Sequence, residues 1–127
     1  MDIGYYIGIP FRDHGRDLTG MDCWGLVRHF YKIEWGVDLP DFNSYEDSTD
    51  SEAISGLVAG EKSNWIPCEE PAFGDVIVFN IFGKPNHVGI WLSDQKFLHT
   101  FRKVDSCLES VKSHVWKNRV EGVYRYE

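Results

Sequence analysis

The chain has 127 residues, of which 43% are hydrophobic and 15% aromatic, and its formal net charge at pH 7 is −7. This length and apolar content predict one compact domain over residues 1–127, with no room for a second. The negative charge argues against binding to nucleic acid and against electrostatic attachment to an anionic surface.

The first fifteen residues contain several apolar side chains but no basic leader, long apolar core or small-residue cleavage site. No apolar run approaches membrane-spanning length, so we expect neither a signal peptide nor a membrane span. Cys23, Cys68 and Cys107 stand in unrelated contexts. We therefore expect that the protein has no disulfide framework and that it is synthesised in a reducing compartment.

An amphipathic helix is predicted to begin at Cys23. Asp22 is a favoured N-cap residue, and Gly36 followed by Pro40 is a stop signal. The apolar face is predicted to consist of Leu26, Val27, Phe30 and Ile33, and the polar face of Arg28, His29 and Lys32. The cysteine then lies in the first helical turn.

A cysteine at this position has two possible roles. Unpaired amide groups and the positive end of the helix dipole favour a thiolate there, and the same amides can stabilise an oxyanion. The alternative is a buried structural thiol, because free cysteine is among the most buried residue types.

An acidic stretch, Asp38–Glu52, follows the helix. Its carboxylates lack regular spacing and fit no calcium loop, so we interpret it as a solvated loop. Thr49–Glu52 has capping-box spacing, which predicts a short helix over Ala53–Val58 that ends at Gly60. This insertion is expected to shape one wall of a cleft.

Strand-like sequence dominates the second half. Val76–Phe79 follows a turn signal, while His87–Leu92 and Lys96–Phe101 are predicted to form a hairpin joined at Ser93 and Asp94. The tail, Val115–Tyr126, is predicted to end in a final strand. We therefore expect an α+β fold, with N-terminal helices packed on a central antiparallel sheet of about five or six strands.

His87 and His99 lie in the two strands of the predicted hairpin. Because strand side chains alternate between faces, an odd number of loop residues can place His87 opposite His99. An even loop without a bulge would place the two rings on opposite faces.

With the faces aligned, Cys23, His87 and His99 form a candidate nucleophile, general base and orienting group. No cofactor or metal is required. Two alternatives remain at this point: a pair of core histidines that are satisfied by their neighbours, and a zinc site formed by the same three residues, although the paired short spacings of structural zinc sites are missing.

These motifs resemble the NlpC family of papain-like cysteine peptidases, which act on bacterial cell-wall peptides. In that family an Asp-Cys pair opens a helix, a Gly-Asp pair introduces the central strand, a His-Val-Gly-Ile strand carries the base, and a third polar residue follows about a dozen positions later. The chain matches in order with Asp22-Cys23, Gly74-Asp75, the strand from His87 to Ile90, and His99. The resemblance covers roughly residues 3–101.

The same resemblance implies substrate contacts for Asp22, Trp24 and Phe11. Trp24 replaces the Ser of wall-recycling members and is similar to the variant in phage tail-tip proteins. Phe11 replaces a Tyr whose hydroxyl serves the oxyanion site or substrate, so Tyr5, Tyr6 and His14 are candidate replacement donors. Because Trp24 lies beside it, the alternative interpretation is that Asp22 serves only as the helix cap and does not bind substrate.

By resemblance, the expected activity is hydrolysis of a peptidoglycan stem peptide, such as a D-glutamyl to diamino acid bond. The expected partners are other phage tail or baseplate proteins, with synthesis in the host cytoplasm and incorporation into the virion tail; a cytoplasmic protein is the alternative. An amidase or acyltransferase on the same fold, and a structural tail-hub protein with a decayed site, remain open.

Overall fold

A computed structural model describes residues 2–42, 56, 58, 60, 61 and 64–126. It confirms an α+β fold, in which an α-helix packs against a six-stranded antiparallel sheet. A 3₁₀ helix (Ile3–Tyr6) and the hairpin of β1 (Arg16–Asp17) and β2 (Gly20–Met21) precede α1 (Cys23–Trp35). The sheet contains β3 (Trp65–Pro67), β4 (Val76–Ile81), β5 (Lys84–Ser93), β6 (Lys96–Phe101), β7 (Val104–Ser110) and β8 (Val120–Tyr126), in the order β3-β8-β4-β5-β6-β7.

The predicted ends of α1 are confirmed. The Asp22 side chain accepts a hydrogen bond from the Gly25 amide at 2.8 Å, and Gly36 closes the helix in the left-handed region with φ 65°. The predicted apolar face is wrong at Ile33, which is 51% exposed, whereas Tyr31 is buried. Tyr31 is drawn inward because its hydroxyl donates to the Gly74 carbonyl at 2.5 Å.

The sheet carries a different apolar cluster on each face. The cluster beneath α1 includes Leu26, Phe30, Val78, Val88, Ile90 and Leu98. The cluster on the other face contains Ile77, Phe79, Ile81, Trp91, Phe97 and Trp116. Because side chains alternate along a strand, even-numbered residues of β5 face the helix and odd-numbered residues face the second cluster.

The Gly74-Asp75 pair fixes the start of β4 between α1 and β8. Gly74 has φ 89°, and a β-carbon there would lie 2.0 Å from the Trp35 ring, so no larger residue fits without a shift. The buried Asp75 carboxylate accepts hydrogen bonds from the Ala72 amide at 2.7 Å and from two nitrogens of Arg125 at 2.9 and 2.7 Å. Helix, central strand and final strand are thereby held in one arrangement.

Two other predictions are refined. The final strand begins at Val120, because turns and one bend occupy residues 111–119. Gly60 is itself helical and does not end a helix; most of the predicted short helix and of the acidic stretch lies outside the described residues. No helix in the described part of the chain has the length and apolar character needed to cross a membrane.

Candidate active site

The hairpin of β5 and β6 brings the two predicted histidines onto one sheet face. Its loop has two residues, Asp94 and Gln95, and a register shift between Trp91 and Ser93 supplies the extra residue. An even loop without that irregularity would have separated the rings. The condition for aligned faces is therefore met by a bulge and not by an odd loop.

His87 and His99 contact each other directly. Nε2 of His87 lies 2.9 Å from Nδ1 of His99, and both side chains are buried. The register that pairs Ile90 with Leu98 places Gly89 level with His99, so the expectation that His87 would lie opposite His99 is wrong. The rings meet diagonally, which a long side chain can do across two residues.

Gly89 makes room for this diagonal contact. A β-carbon at Gly89 would lie 2.9 Å from the Phe97 ring and 3.4 Å from Cβ of His99. A side chain there would push against the residues that hold the second imidazole. The Gly in the His-Val-Gly-Ile strand is thus part of the support for the histidine pair.

Glu109 is a site residue that the sequence analysis missed. Its Oε2 atom lies 2.5 Å from Nε2 of His99, and its side chain is 35% exposed while His99 is 1% exposed. The register of β7 also places Cys107 directly opposite His99. The polar and apolar residues of Val104–Ser110 do not alternate regularly, so no strong local signal marks this strand.

Hydrogen bonding to Glu109 fixes the protons on both rings. Burial lowers the pKa of His87 well below its ordinary value, with His99 adding to the effect; burial also lowers the pKa of His99, although Glu109 opposes it. A neutral imidazole has one donor and one acceptor nitrogen, and a carboxylate only accepts. His99 therefore donates from Nε2 to Glu109 and accepts at Nδ1 from Nε2 of His87, which leaves Nδ1 of His87 as a free base.

Cys23 reaches β5 from the other side of the sheet. It is half-buried, and its sulfur accepts hydrogen bonds from the backbone amides of Val88 and Trp24. The Trp91 amide donates to the backbone carbonyl of Asp75, just before β4. Because successive amides of a strand point in opposite directions, the Val88 amide points away from β4 and towards the β6 side. β6 pairs with β5 only as far as Ile90, so the Val88 amide lies beyond the paired part of β6. The sulfur thus lies against the residue that follows His87, at the place where the two strands diverge.

The His87 ring packs against the second apolar cluster. Its centroid lies 5.5 Å from that of Phe79, 5.1 Å from that of Phe101 and 5.4 Å from that of Trp116. Cys23 instead packs against the cluster beneath α1. Sulfur and imidazole therefore come from opposite faces of the sheet, to neighbouring residues of one strand.

The thiol of Cys23 is not activated in the way that the sequence predicted. Burial, followed by the charge of Asp22, raises its pKa to about 12, despite the opposing backbone hydrogen bonds. The expectation of a lowered thiol pKa at the helix N-terminus is therefore wrong. Thiol and imidazole are both neutral at pH 7 in this structure, so attack requires proton transfer to a base.

The predicted substrate contacts differ in how they are engaged. The buried Asp22 carboxylate accepts from the Gly25 amide, from the His14 amide at 3.1 Å and from Arg16 at 2.7 Å, an environment that suits a structural cap. Trp24 donates from its indole nitrogen to the Pro40 carbonyl at 2.8 Å. Half-buried Phe11 forms a β-bridge with Met21, two residues before the nucleophile.

The three candidate replacements for the missing Tyr hydroxyl lie in different places. The Tyr6 hydroxyl donates to Glu34 at 2.6 Å and is already committed. Tyr5 stacks on His29 with centroids 5.7 Å apart, about 9 Å of helix rise beyond Cys23. His14, whose amide bonds to Asp22, is held beside the start of α1 and is the best placed of the three.

Comparisons with known proteins identify the family and support the fold. The family model described as "NlpC/P60 family" matches residues 8–125. A crystal structure of an NlpC/P60 family protein from Bacillus cereus has a TM-score of 0.74 and 22% identity, and the match covers 97% of this chain and 37% of that one. This likeness supports the fold.

Two curated relatives are similar over most of the chain. "Murein DD-endopeptidase MepS/Murein LD-carboxypeptidase" of Escherichia coli is 26% identical over 118 residues, which are 93% of this chain and 56% of the relative. "Tail tip assembly protein K" of Escherichia phage N15 is 26% identical over an alignment of 106 residues, and the match covers 72% of this chain and 39% of the relative. The chain thus spans about half the length of the first relative and less than half the length of the second. The family match over nearly its whole length shows that the chain belongs to the NlpC/P60 family.

Proposed function

We propose that the chain is a cysteine peptidase that hydrolyses amide bonds in peptidoglycan stem peptides. The observation that carries this proposal is the hydrogen-bonded sequence from Glu109 through His99 to His87, with the Cys23 sulfur against the next residue of the same strand. Satisfied core histidines would not need a carboxylate that fixes their tautomers. Family membership and the murein peptidase activity in the name of the Escherichia coli relative support the substrate class.

The mechanism follows from the neutral state of the pair. Nδ1 of His87 accepts the thiol proton as Cys23 attacks the amide carbonyl, and the imidazolium then protonates the leaving amine. The amide of Cys23 at the helix start helps to hold the oxyanion, with His14 as a second candidate donor. Water, deprotonated by His87, resolves the thioester. The orientation imposed by His99 and Glu109 is retained throughout.

Digestion of defined stem peptides, analysed by mass spectrometry, tests this function. The intact chain is expected to release two fragments whose summed mass exceeds that of the substrate by one water, for example at a D-glutamyl to diamino acid bond. Cys23→Ala should abolish cleavage, and Cys68→Ala, which alters a thiol outside the site, should not. Products linked to an added amine would identify acyl transfer instead, and absence of any product would overturn the peptidase proposal.

The second candidate role is in a phage tail. It is supported by the similarity to the tail tip assembly protein, by Trp24 in place of Ser and by Phe11 in place of Tyr. We propose that the chain is synthesised in the host cytoplasm and joins other tail or baseplate proteins. Inducing particle production in a strain that carries the gene and analysing purified particles tests this. Detection of the chain in particles supports the role, and absence from particles made in its presence contradicts it.

A further inference from the structure

Behind the histidine pair, three metal-ligating side chains of two neighbouring strands converge. Cys107 is paired with His99 across β6 and β7, and Glu109 lies two residues further along the same face of β7. A ring nitrogen of His99, Sγ of Cys107 and a carboxylate oxygen of Glu109 all lie within 4.8 Å of one another, and Nε2 is the His99 nitrogen that contacts Glu109. This is a different group from the zinc site of Cys23, His87 and His99 considered from the sequence.

We propose that His99, Cys107 and Glu109 form a Zn²⁺ site, and that bound zinc switches off the base His87. Thiolate, imidazole and carboxylate are the ligands that Zn²⁺ takes in proteins. The inhibitory part of the proposal rests on the proposed peptidase function, whereas the binding part does not.

The geometry of the cluster suits a four-coordinate ion. Ligand atoms on a tetrahedral zinc lie about 3.3–3.7 Å apart, so the separation between Glu109 and His99 must widen from 2.5 Å by about 1 Å. Glu109 can move, because its side chain is 35% exposed at the edge strand of the sheet. Cys107 is half-buried beside it, and its thiol proton passes to solvent as the zinc–sulfur bond forms. Three protein ligands leave the fourth position for water.

Zinc at this site would reverse the protons on both rings. The metal occupies the lone pair of Nε2 of His99, so the proton of that neutral ring moves to Nδ1. Nδ1 then donates to Nε2 of His87, and His87 must carry its own proton on Nδ1. Nδ1 of His87, which accepts the thiol proton in the metal-free protein, then has no lone pair with which to accept that proton. Inhibition thus needs no contact between metal and substrate.

Cobalt spectroscopy and calorimetry test the binding part without any assay of activity. Chelator-treated full chain is titrated with Co²⁺, whose thiolate complexes absorb in the near ultraviolet, and then with Zn²⁺ in a calorimeter. We expect one ion per chain and a thiolate band in the wild type and in Cys68→Ser. Cys107→Ser should lose the band and bind Zn²⁺ at least about tenfold more weakly, because loss of even an outer-shell partner typically costs about 10–100-fold in metal affinity. A band that persists in Cys107→Ser, or no binding, overturns the site.

Activity measurements test the inhibitory part separately. Zn²⁺ should inhibit peptide cleavage with one-to-one stoichiometry, and the concentration for half inhibition should rise at least about tenfold in Cys107→Ser, each protein being compared with its own metal-free rate. Binding without inhibition overturns the coupling to His87 and leaves the site intact. If the metal-free chain cleaves nothing, the peptidase proposal fails while the cobalt spectrum still decides the site. Should Cys107→Ser not fold, Glu109→Gln serves as the second variant, with weaker binding expected.

Discussion

Nε2 of His87 lies 2.9 Å from Nδ1 of His99, with the ring planes inclined at 70° and the rings 5.1 Å apart. This contact determines the chemistry of the site, because only one of the two nitrogens in contact can carry the proton of the hydrogen bond. Glu109, at the far end of His99, decides which nitrogen does so.

Glu109→Gln is expected to lower kcat/KM for a stem peptide by about 10²-fold or more, as loss of an orienting carboxylate does elsewhere. The Gln amide can donate to His99, which permits the wrong tautomer of both rings. Steady-state kinetics in the presence of chelator measure the change. Glu69→Gln, an exposed residue outside the site, is the matched control. Equal rates for Glu109→Gln and the control would show that the carboxylate has no positioning role.

The rate of labelling of Cys23 by iodoacetamide is expected to keep rising with pH beyond about 9.5, where an ordinary thiol with a pKa of about 8.5 is already largely ionised and its rate levels off. The reason is the raised pKa of this thiol: a smaller fraction is thiolate at neutral pH, and that fraction grows as pH increases. Mass spectrometry separates labelling at Cys23 from that at Cys68 and Cys107. The neutral ring of His87 does not hold a thiolate, so His87→Ala should leave the profile unchanged. A plateau below pH 8.5 that is lost in His87→Ala would instead reveal a preformed ion pair.

Gly89→Ala should lower both the activity and the stability of the protein. The added methyl group meets the Phe97 ring at 2.9 Å and approaches Cβ of His99, so the second imidazole must shift. Overpacking of this kind costs about 1–3 kcal/mol, whereas a displacement of about 1 Å at a catalytic group can cost 10²-fold in rate. Urea unfolding and kcat/KM are measured together. Wild-type activity with reduced stability would contradict the assigned role of Gly89.

Ser106→Ala is expected to destabilise the fold by about 1–3 kcal/mol, because it leaves buried backbone groups without their partner. The Ser106 hydroxyl accepts from the Ile9 amide at 2.8 Å and donates to the Tyr6 carbonyl at 2.6 Å, which ties the N-terminal segment to β7. The free energy of unfolding in urea measures the loss. Ser93→Ala, an exposed serine in the same sheet, should change it little. Equal stability of the two variants would show that the hydrogen bonds of Ser106 do not stabilise the N-terminal segment.

Thermal stability should fall as pH decreases below about 6.5, and His29 should contribute to the fall. Burial lowers the pKa of His29, so the unfolded chain takes up the proton first, and the stabilisation present above pH 6.5 is lost below it. The rings of Tyr5 and Tyr6 face His29, and Glu34 is bonded to Tyr6. Melting temperatures from pH 7.5 to 5.5 should decline less steeply in His29→Phe. An identical decline would exclude His29, leaving His87 and His99 as the source.

Local sequence signals predicted the parts of the site that local physics determines. Asp22 and Gly36 mark the ends of α1 because capping depends on residues within one turn. The alternation of side chains placed His87 and His99 on equivalent faces of their strands. The bulge between Trp91 and Ser93, which aligns those faces, has no sequence signal of its own.

Properties that depend on tertiary packing were missed or predicted wrongly. Glu109 lies in a strand whose pattern is weak, and its role exists only because β7 pairs with β6. The pKa of Cys23 follows from burial by residues distant in sequence, which outweighs the helix N-terminus. Tyr31 is buried in place of Ile33 because its hydroxyl donates a hydrogen bond to the carbonyl of Gly74, 43 residues away in the sequence.

The approach of thiol and imidazole from opposite faces of β5 limits where the two groups can meet. β6 pairs with β5 only from Ser93 to Ile90, so the stretch of β5 that contains His87 and Val88 is not paired with β6. The sulfur and the ring can reach each other only around this unpaired edge of the strand. A change that extended the pairing of β6 beyond Ile90 would therefore separate the nucleophile from its base while leaving both side chains in the protein.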